Sequence, residues 1–368
     1  IILAVITRYR SSPDGTSYIF RFNDNFPAFL LMSIIVALFM GLTVSAEEII
    51  RDRKILKRES FLNLSWNSYL MSKLIILFSM SAIQTFAFVL VGNLILNIEW
   101  SMLLPFWFVL FTTSCMASVL GLNISSAFNS AVTVYVMIPL LLIPQMILSG
   151  LLFSFDKLNN FISTKGKVPI VADMMASRWA YEALAVYNFK NNYYEKPFYD
   201  YEKYESQADF KSSFLFDELM SRRKYIADNL TSTDDSVRAI MQRNLNILQD
   251  NIRKERYREG LAGVDVETPW SLEQYSPAID KALENYLMGF RKQYQEVYNK
   301  VVMAREKKMY ELENAEGSGY NVNEAKNKYY NESLADLVKN VKEKNRIIEF
   351  KGQLIQQINP VFQDPEPS

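Results

Sequence analysis

Histidine is absent from all 368 residues and cysteine occurs once, at Cys115. The first absence removes the usual metal ligand and the usual general base at neutral pH. The second makes an intrachain disulfide impossible, whatever compartment the chain faces. No residue is therefore assigned a catalytic or metal-ligating role. A phosphate-cradling loop of the Gly-x-x-x-x-Gly-Lys-Ser/Thr kind is missing as well. Its nearest approach, Thr164-Lys165-Gly166-Lys167-Val168, lacks the first glycine and the hydroxyl, so the chain alone is not expected to hydrolyse ATP. Nor is there an excess of either charge, with 40 basic and 40 acidic side chains. Clusters such as Arg222-Arg223-Lys224 and Arg305-Glu306-Lys307-Lys308 sit among acids at helical spacing, which describes solvated faces and not a nucleic-acid surface. The opening run Ile1 to Ile6 has no basic leader or small-residue cleavage site before it, so it reads as the end of a membrane helix begun upstream.

What charge there is lies unevenly. Residues 1–190 hold 14 basic and 10 acidic residues, with none between Trp100 and Asp156, whereas residues 191–368 hold 26 and 30. A lipid-facing half is followed by a water-facing one. Four uncharged apolar stretches match the length that crosses a bilayer core: about 27–46, 74–96, 102–124 and 131–155. Pro139 and Pro144 interrupt the last, where a kink that lines a cavity and a simple packing distortion are both open.

Between the first two stretches, about 47–60, lies a run of helix formers with Glu47 one turn before Arg51, which reads as an amphipathic helix at the membrane surface. Its five basic residues and Lys73 outnumber the three (Arg8, Arg10, Arg21) of the preceding loop, which places it on the cytoplasmic side. Counting crossings from there puts everything after Phe155 outside. The aromatic-rich 172–194 suits a re-entrant or interfacial helix pair. From residue 196 the pattern is that of a helical soluble domain. Ser276-Pro277 supplies a cap and a first-turn proline, and Ile279, Leu283, Tyr286, Phe290, Tyr294, Val297 and Val301 follow at coiled-coil spacing. Gly317-Ser318-Gly319 breaks that run, and Leu334, Leu337, Val341, Ile348 and Ile355 resume it. An antiparallel helical hairpin over about 277–358 is the expectation.

Four pieces in order carry a resemblance: Val44-Ser45-Ala46-Glu47-Glu48-Ile49, Lys54-Ile55-Leu56-Lys57-Arg58-Glu59, Ser68-Tyr69-Leu70-Met71-Ser72-Lys73-Leu74 and Leu148-Ser149-Gly150-Leu151-Leu152-Phe153. Together they resemble the permease of type-2 ABC exporters of the G (White-like) subfamily over about residues 1–195. The resemblance implies an all-α membrane fold of six permease helices, about five of them present here and the sixth beyond Ser368, with an inserted external α-helical or coiled-coil domain at 196–368. It further implies pairing with a second permease, commonly as a homodimer, in the lipid bilayer, and a cytoplasmic ABC ATPase, fused or separate, that binds the ATP and Mg. The family's coupling helix maps onto Glu48, Arg51, Asp52, Arg53, Lys54, Arg58 and Glu59, and its apolar plug onto Leu151 and Leu152, where Gly150 permits close approach or a bend. Phe39, Met137 and Met146 are pathway-lining candidates. Eukaryotic members staple a compact external loop with disulfides; the long polar insertion without a cysteine pair points instead to a multi-pass protein of a bacterial inner membrane. Two other functions stay open: mechanotransmission to a periplasmic partner, and a receptor with external sensing helices.

Overall fold

The computed structural model describes residues 1–9, 17–59, 65–152, 155, 168–255, 267–315, 320–343 and 345–363. The side chain of Glu59 and the Gly317-Ser318-Gly319 break fall outside them, as do Phe153 and residues 164–167. The chain folds as two units, Ile1–Lys196 with Val322–Ala335, and Pro197–Asn321 with Asp336–Ser368.

The first unit is built from α1 (Ile2–Thr7), α2 (Phe26–Ser45), α3 (Glu48–Glu59), α4 (Trp66–Leu96), α5 (Leu103–Ala127), α6 (Ala131–Ile147), α7 (Ile170–Asp173) and α8 (Ala176–Asn191). Pro27 starts α2 in the first turn, where its missing N–H is no loss. Asn97 in the left-handed region ends α4. Among the described residues, three helices are long and apolar enough to cross a membrane: α2, which runs on into α3, then α4, and α5 with the short turn before it. The fourth expected span is corrected: α6 stops at Ile147 after 17 residues instead of reaching Phe155. Two internal prolines each remove a backbone donor, and Gly150, with φ +88°, turns the chain where the apolar run continues. Helix α4 begins a further two turns before Leu74, at Trp66.

Helix α2 is the hub, packed most closely on α5 and also touching α4, α6 and α8. Small residues bring α2 and α5 together: a Cβ on Gly121 would overlap Ser45 Oγ, and one on Gly41 would overlap the Ser114 carbonyl. This is how helices associate in lipid, where apolar burial gives no drive and close backbone contact does. Hydroxyls are spent locally, Ser33 donating to the Phe29 carbonyl and Ser45 to that of Gly41, both at 2.7 Å. Ser114 Oγ donates across to Ser81 Oγ at 3.1 Å, joining α5 to α4. Large side chains on the outer faces of α4 and α5, including Ile75, Ile83, Leu104 and Phe108, stay exposed as a lipid-facing surface requires.

The second unit comprises α9 (Tyr199–Asp209), a π-helical stretch Phe210–Leu215 leading into α10 (Phe216–Asn229), α11 (Asp235–Lys254) and the 38-residue α12 (Pro277–Asn314). Ser276 Oγ accepts from the Ile279 N–H at the start of α12, and Asp234 caps α11 through the Ser236 N–H. The core joins Phe216, Leu219 and Ile226 of α10, Leu245, Leu248 and Ile252 of α11, and Leu283, Leu287 and Phe290 of α12.

The expected hairpin partner of α12 is corrected. After α13 (Val322–Tyr329) and α14 (Glu332–Val338) come two strands, β1 (Ile347–Phe350) and β2 (Gln353–Gln356), paired antiparallel around Lys351-Gly352. Both turn residues have positive φ, as the favoured two-residue hairpin turn demands. Ile348 and Ile355 lie opposite each other in this ladder, so their seven-residue spacing reflects strand pairing and not a helical stripe.

A continuous second domain from residue 196 is also corrected, because Val322–Ala335 belongs to the first unit. Asn331, buried, donates from Nδ2 to the carbonyls of Phe20 and Asn23, each at 2.9 Å, and its Oδ1 accepts from the Leu334 N–H. Arg21 Nε donates to Glu332 at 2.7 Å, and Tyr329 and Tyr330 pack on Tyr193 and Tyr194. The segment just before α2 is thus held by residues some 300 positions later.

Candidate functional site

Helix α3 has a bonded face and an open face. On the bonded face Lys73, about two turns into α4, places its ammonium 2.6 Å from both Glu48 and Asp52, and all three side chains are less than a fifth exposed. The Tyr69 hydroxyl donates to Asp52 at 3.1 Å. Burial alone would raise the Asp52 carboxyl, but the hydrogen bonds from Lys73 and Tyr69 and the Lys73 charge outweigh it and hold the pKa below the ordinary value. From the other side, Ser125 Oγ at the end of α5 accepts from the Ile49 and Ile50 N–H groups at 3.1 Å each. It satisfies first-turn amides of α3 that have no partner within the helix. Arg53 donates to the Ser126 carbonyl at 2.8 Å and to Asn129.

The open face carries Arg51, Lys54, Ile55, Lys57 and Arg58, all exposed, with the Arg51 side chain at 66% and Ile55 at 53%. Arg51 pairs with Glu48 at 2.6 Å, three residues before it, in place of the expected Glu47. The seven residues grouped from the sequence therefore divide. Glu48, Asp52 and Arg53 are bonded to the spans, Arg51, Lys54 and Arg58 face away, and the Glu59 side chain is outside the described residues.

At the far end of α6, Ser149 Oγ donates to the Met146 carbonyl at 2.8 Å and Gly150 turns the chain with the positive φ that glycine adopts without strain. Leu151 is half-buried and Leu152 is 46% exposed. Of the other three candidates, Phe39 is 49% exposed on α2, and Met137 and Met146 are half-buried on α6.

A family model described as ABC-2 type transporter matches residues 1–184, half of the chain. The chain belongs to the ABC-2 transporter family. Neither a curated protein nor a solved structure matches it. The matched residues take in α1 to α7 and the first half of α8, so the bonded face of α3 and the Gly150 turn both belong to the ABC-2 transporter part. Members of this family are membrane transport components, and this one is an all-α membrane protein with little sheet.

Sequence reasoning missed the residues that grip α3 in this ABC-2 transporter. Lys73 was visible as the lone cation opening an apolar run, yet it read only as one more positive charge. Ser125 and Asn129 carried no signal, because a serine or asparagine in a short turn is commonplace. Gln145, the single amide in α6, was overlooked.

Proposed function

We propose that this ABC-2 transporter chain is the permease of an ATP-driven exporter, of the G-like type, in a bacterial inner membrane. It forms the substrate path together with a second permease and receives its drive from an ABC ATPase, fused or separate, which holds the ATP and Mg. In this reading α3 lies on the cytoplasmic side and the Pro197–Asn321 unit outside, and the Gly150 turn carries the plug. One observation supports it above others: α3 is anchored to α4 and α5 by partly buried polar bonds while its opposite face offers cations and one exposed isoleucine. A push on the open face reaches two spans at once through Lys73 and Ser125.

The roles of the charged residues separate accordingly. Arg51, Lys54 and Arg58 contact the ATPase, and an acidic surface on that partner complements them. Glu48, Asp52 and Arg53 pass the movement on. Leu151 and Leu152 close the path to water without binding a substrate tightly, and Phe39, Met137 and Met146 line it.

The test is reconstitution with the cognate ATPase. Lys54→Glu with Arg58→Glu should abolish binding of the ATPase, read by co-purification. Lys73→Met should leave binding intact and lower transport-linked ATP hydrolysis at least about tenfold, as loss of its two partly buried charge-assisted bonds implies. Full binding and full coupling in the double charge reversal would overturn the assignment.

A further inference from the structure

Helix α8 begins without a cap of its own. The residue before it, Met175, has no side chain that accepts from the first-turn amides, and such amides in a water-poor setting must find an acceptor elsewhere. They find Gln145, whose Oε1 accepts from the Ser177 N–H at 3.0 Å. The Ser177 hydroxyl in turn donates to the Gln145 carbonyl at 2.5 Å. Both residues are buried, Ser177 completely. This explains the single amide in an otherwise apolar, proline-interrupted α6: it is the N-terminal cap of another helix.

The position of this exchange gives it a consequence. Gln145 lies on the leading side of the turn at Gly150, Leu151 and Leu152, and Phe155 lies on its trailing side. Phe155 is held by the residue next to Ser177, since the Arg178 guanidinium sits 6.0 Å from the Phe155 ring and 4.5 Å from that of Trp179. Arg178 is fixed in turn by Asp173 and Glu182, and Trp179 Nε1 donates to the Asp173 carbonyl at 2.7 Å. The first turn of α8 therefore grips both flanks of the Leu151-Leu152 turn. On the Gln145 side the grip is two hydrogen bonds, which form or break as discrete states.

We infer that Gln145 and Ser177 are positioning residues that latch the Leu151-Leu152 turn in its closed place, and that opening the path requires α8 to leave Gln145. This rests on reading Leu151 and Leu152 as the plug. The latch strength sets how often the turn opens without any drive.

The experiment reads that opening directly and needs neither ATPase nor substrate. The full chain with Cys115→Ala and Leu151→Cys is placed in phosphatidylcholine vesicles, and a membrane-impermeant maleimide is supplied to both faces. Gln145→Met keeps the volume and removes the acceptor, and should speed labelling about tenfold, the effect of one buried donor left unpaired. Gln145→Glu retains an acceptor at the helix N-terminus and should stay within about twofold of the parent. Ser177→Ala loses only the hydroxyl bond and should give about threefold. A control Lys54→Cys on the exposed face of α3 should label equally in every background. Parent-rate labelling in Gln145→Met, or equal acceleration in Gln145→Glu, would overturn the latch. If Gln145→Met yields no monodisperse protein, Ser177→Ala decides, an unchanged rate overturning the latch and a faster one supporting it. Failure of any ATPase to bind the chain would remove the proposed function and leave the labelling result standing.

Discussion

The two units solve the packing problem in opposite ways. In the first, α2 and α5 meet through Gly41, Ser45, Ser114, Ala117 and Gly121, where almost no side chain intervenes. In the second, α10, α11 and α12 are kept apart by Phe216, Leu248, Leu287 and Phe290, whose bulk fills the space between them. Water supplies the drive for the second arrangement and withdraws it from the first, so a bilayer unit relies on contact and a polar-solvent unit on volume. Ion pairs follow the same division: Arg223 with Asp280, Lys211 with Glu255 and Arg305 with Glu205 all lie in the second unit. Among the described residues of the first, the ion pairs sit at Arg21, around Lys73 and around Arg178, and none joins the middles of the spans.

The contrast implies that one unit breaks when volume is removed and the other when it is added. Phe290→Ala should cost the second unit about 3–5 kcal/mol, read as an earlier thermal transition of that unit, with the α2–α5 contact unaffected. Gly121→Leu should cost the first unit about 3 kcal/mol through overpacking, read as loss of monodisperse protein in detergent. Tolerance of Gly121→Leu would mean that α2 and α5 are not held by close approach. Asn331→Ala removes both amide bonds to the Phe20 and Asn23 carbonyls, which keep only their backbone partners, and takes the side-chain acceptor from the Leu334 N–H; it should cost about 2 kcal/mol, with faster proteolysis of Val322–Ala335 as its signature.

The smallest effect is one of pH. The folded-state pKa of Asp52 is lowered from the ordinary value of 3.8, so its contribution is present above that value and is lost as pH falls through the lower folded one. Hydrogen exchange of α3 should therefore accelerate only below about pH 4, and Asp52→Asn should remove that step. Persistence of the step in Asp52→Asn would assign it to another carboxylate.

The sequence showed what depends on local pattern. The apolar runs of α2 and α5, the Ser276-Pro277 start of α12 and the aromatic segment around α8 all declare themselves through hydrophobicity or capping chemistry within a few residues. What it hid depends on partners far along the chain. Ile348 and Ile355 carry a spacing shared by a heptad and a hairpin, and only the turn at Lys351-Gly352 separates the two. The end of α6 was hidden because Leu148, Leu151 and Leu152 continue the apolar run past the helix. In α3 the charges were visible and their division was not. Which of Arg51 and Arg53 faces inward depends on where Ser126 and Asn129 lie.

The hold of Asn331 on Phe20 and Asn23 has a consequence for how the protein is made. A ribosome releases residues 18–24 long before Asn331 exists, and all of Pro197–Asn321 must be synthesised in between. At roughly 5–20 residues per second that interval is on the order of ten seconds or more. During it, the Phe20 and Asn23 carbonyls lack the Asn331 amide, and the first unit waits for Val322–Ala335. Nascent chains halted before Asn331 would therefore be natural clients for a chaperone.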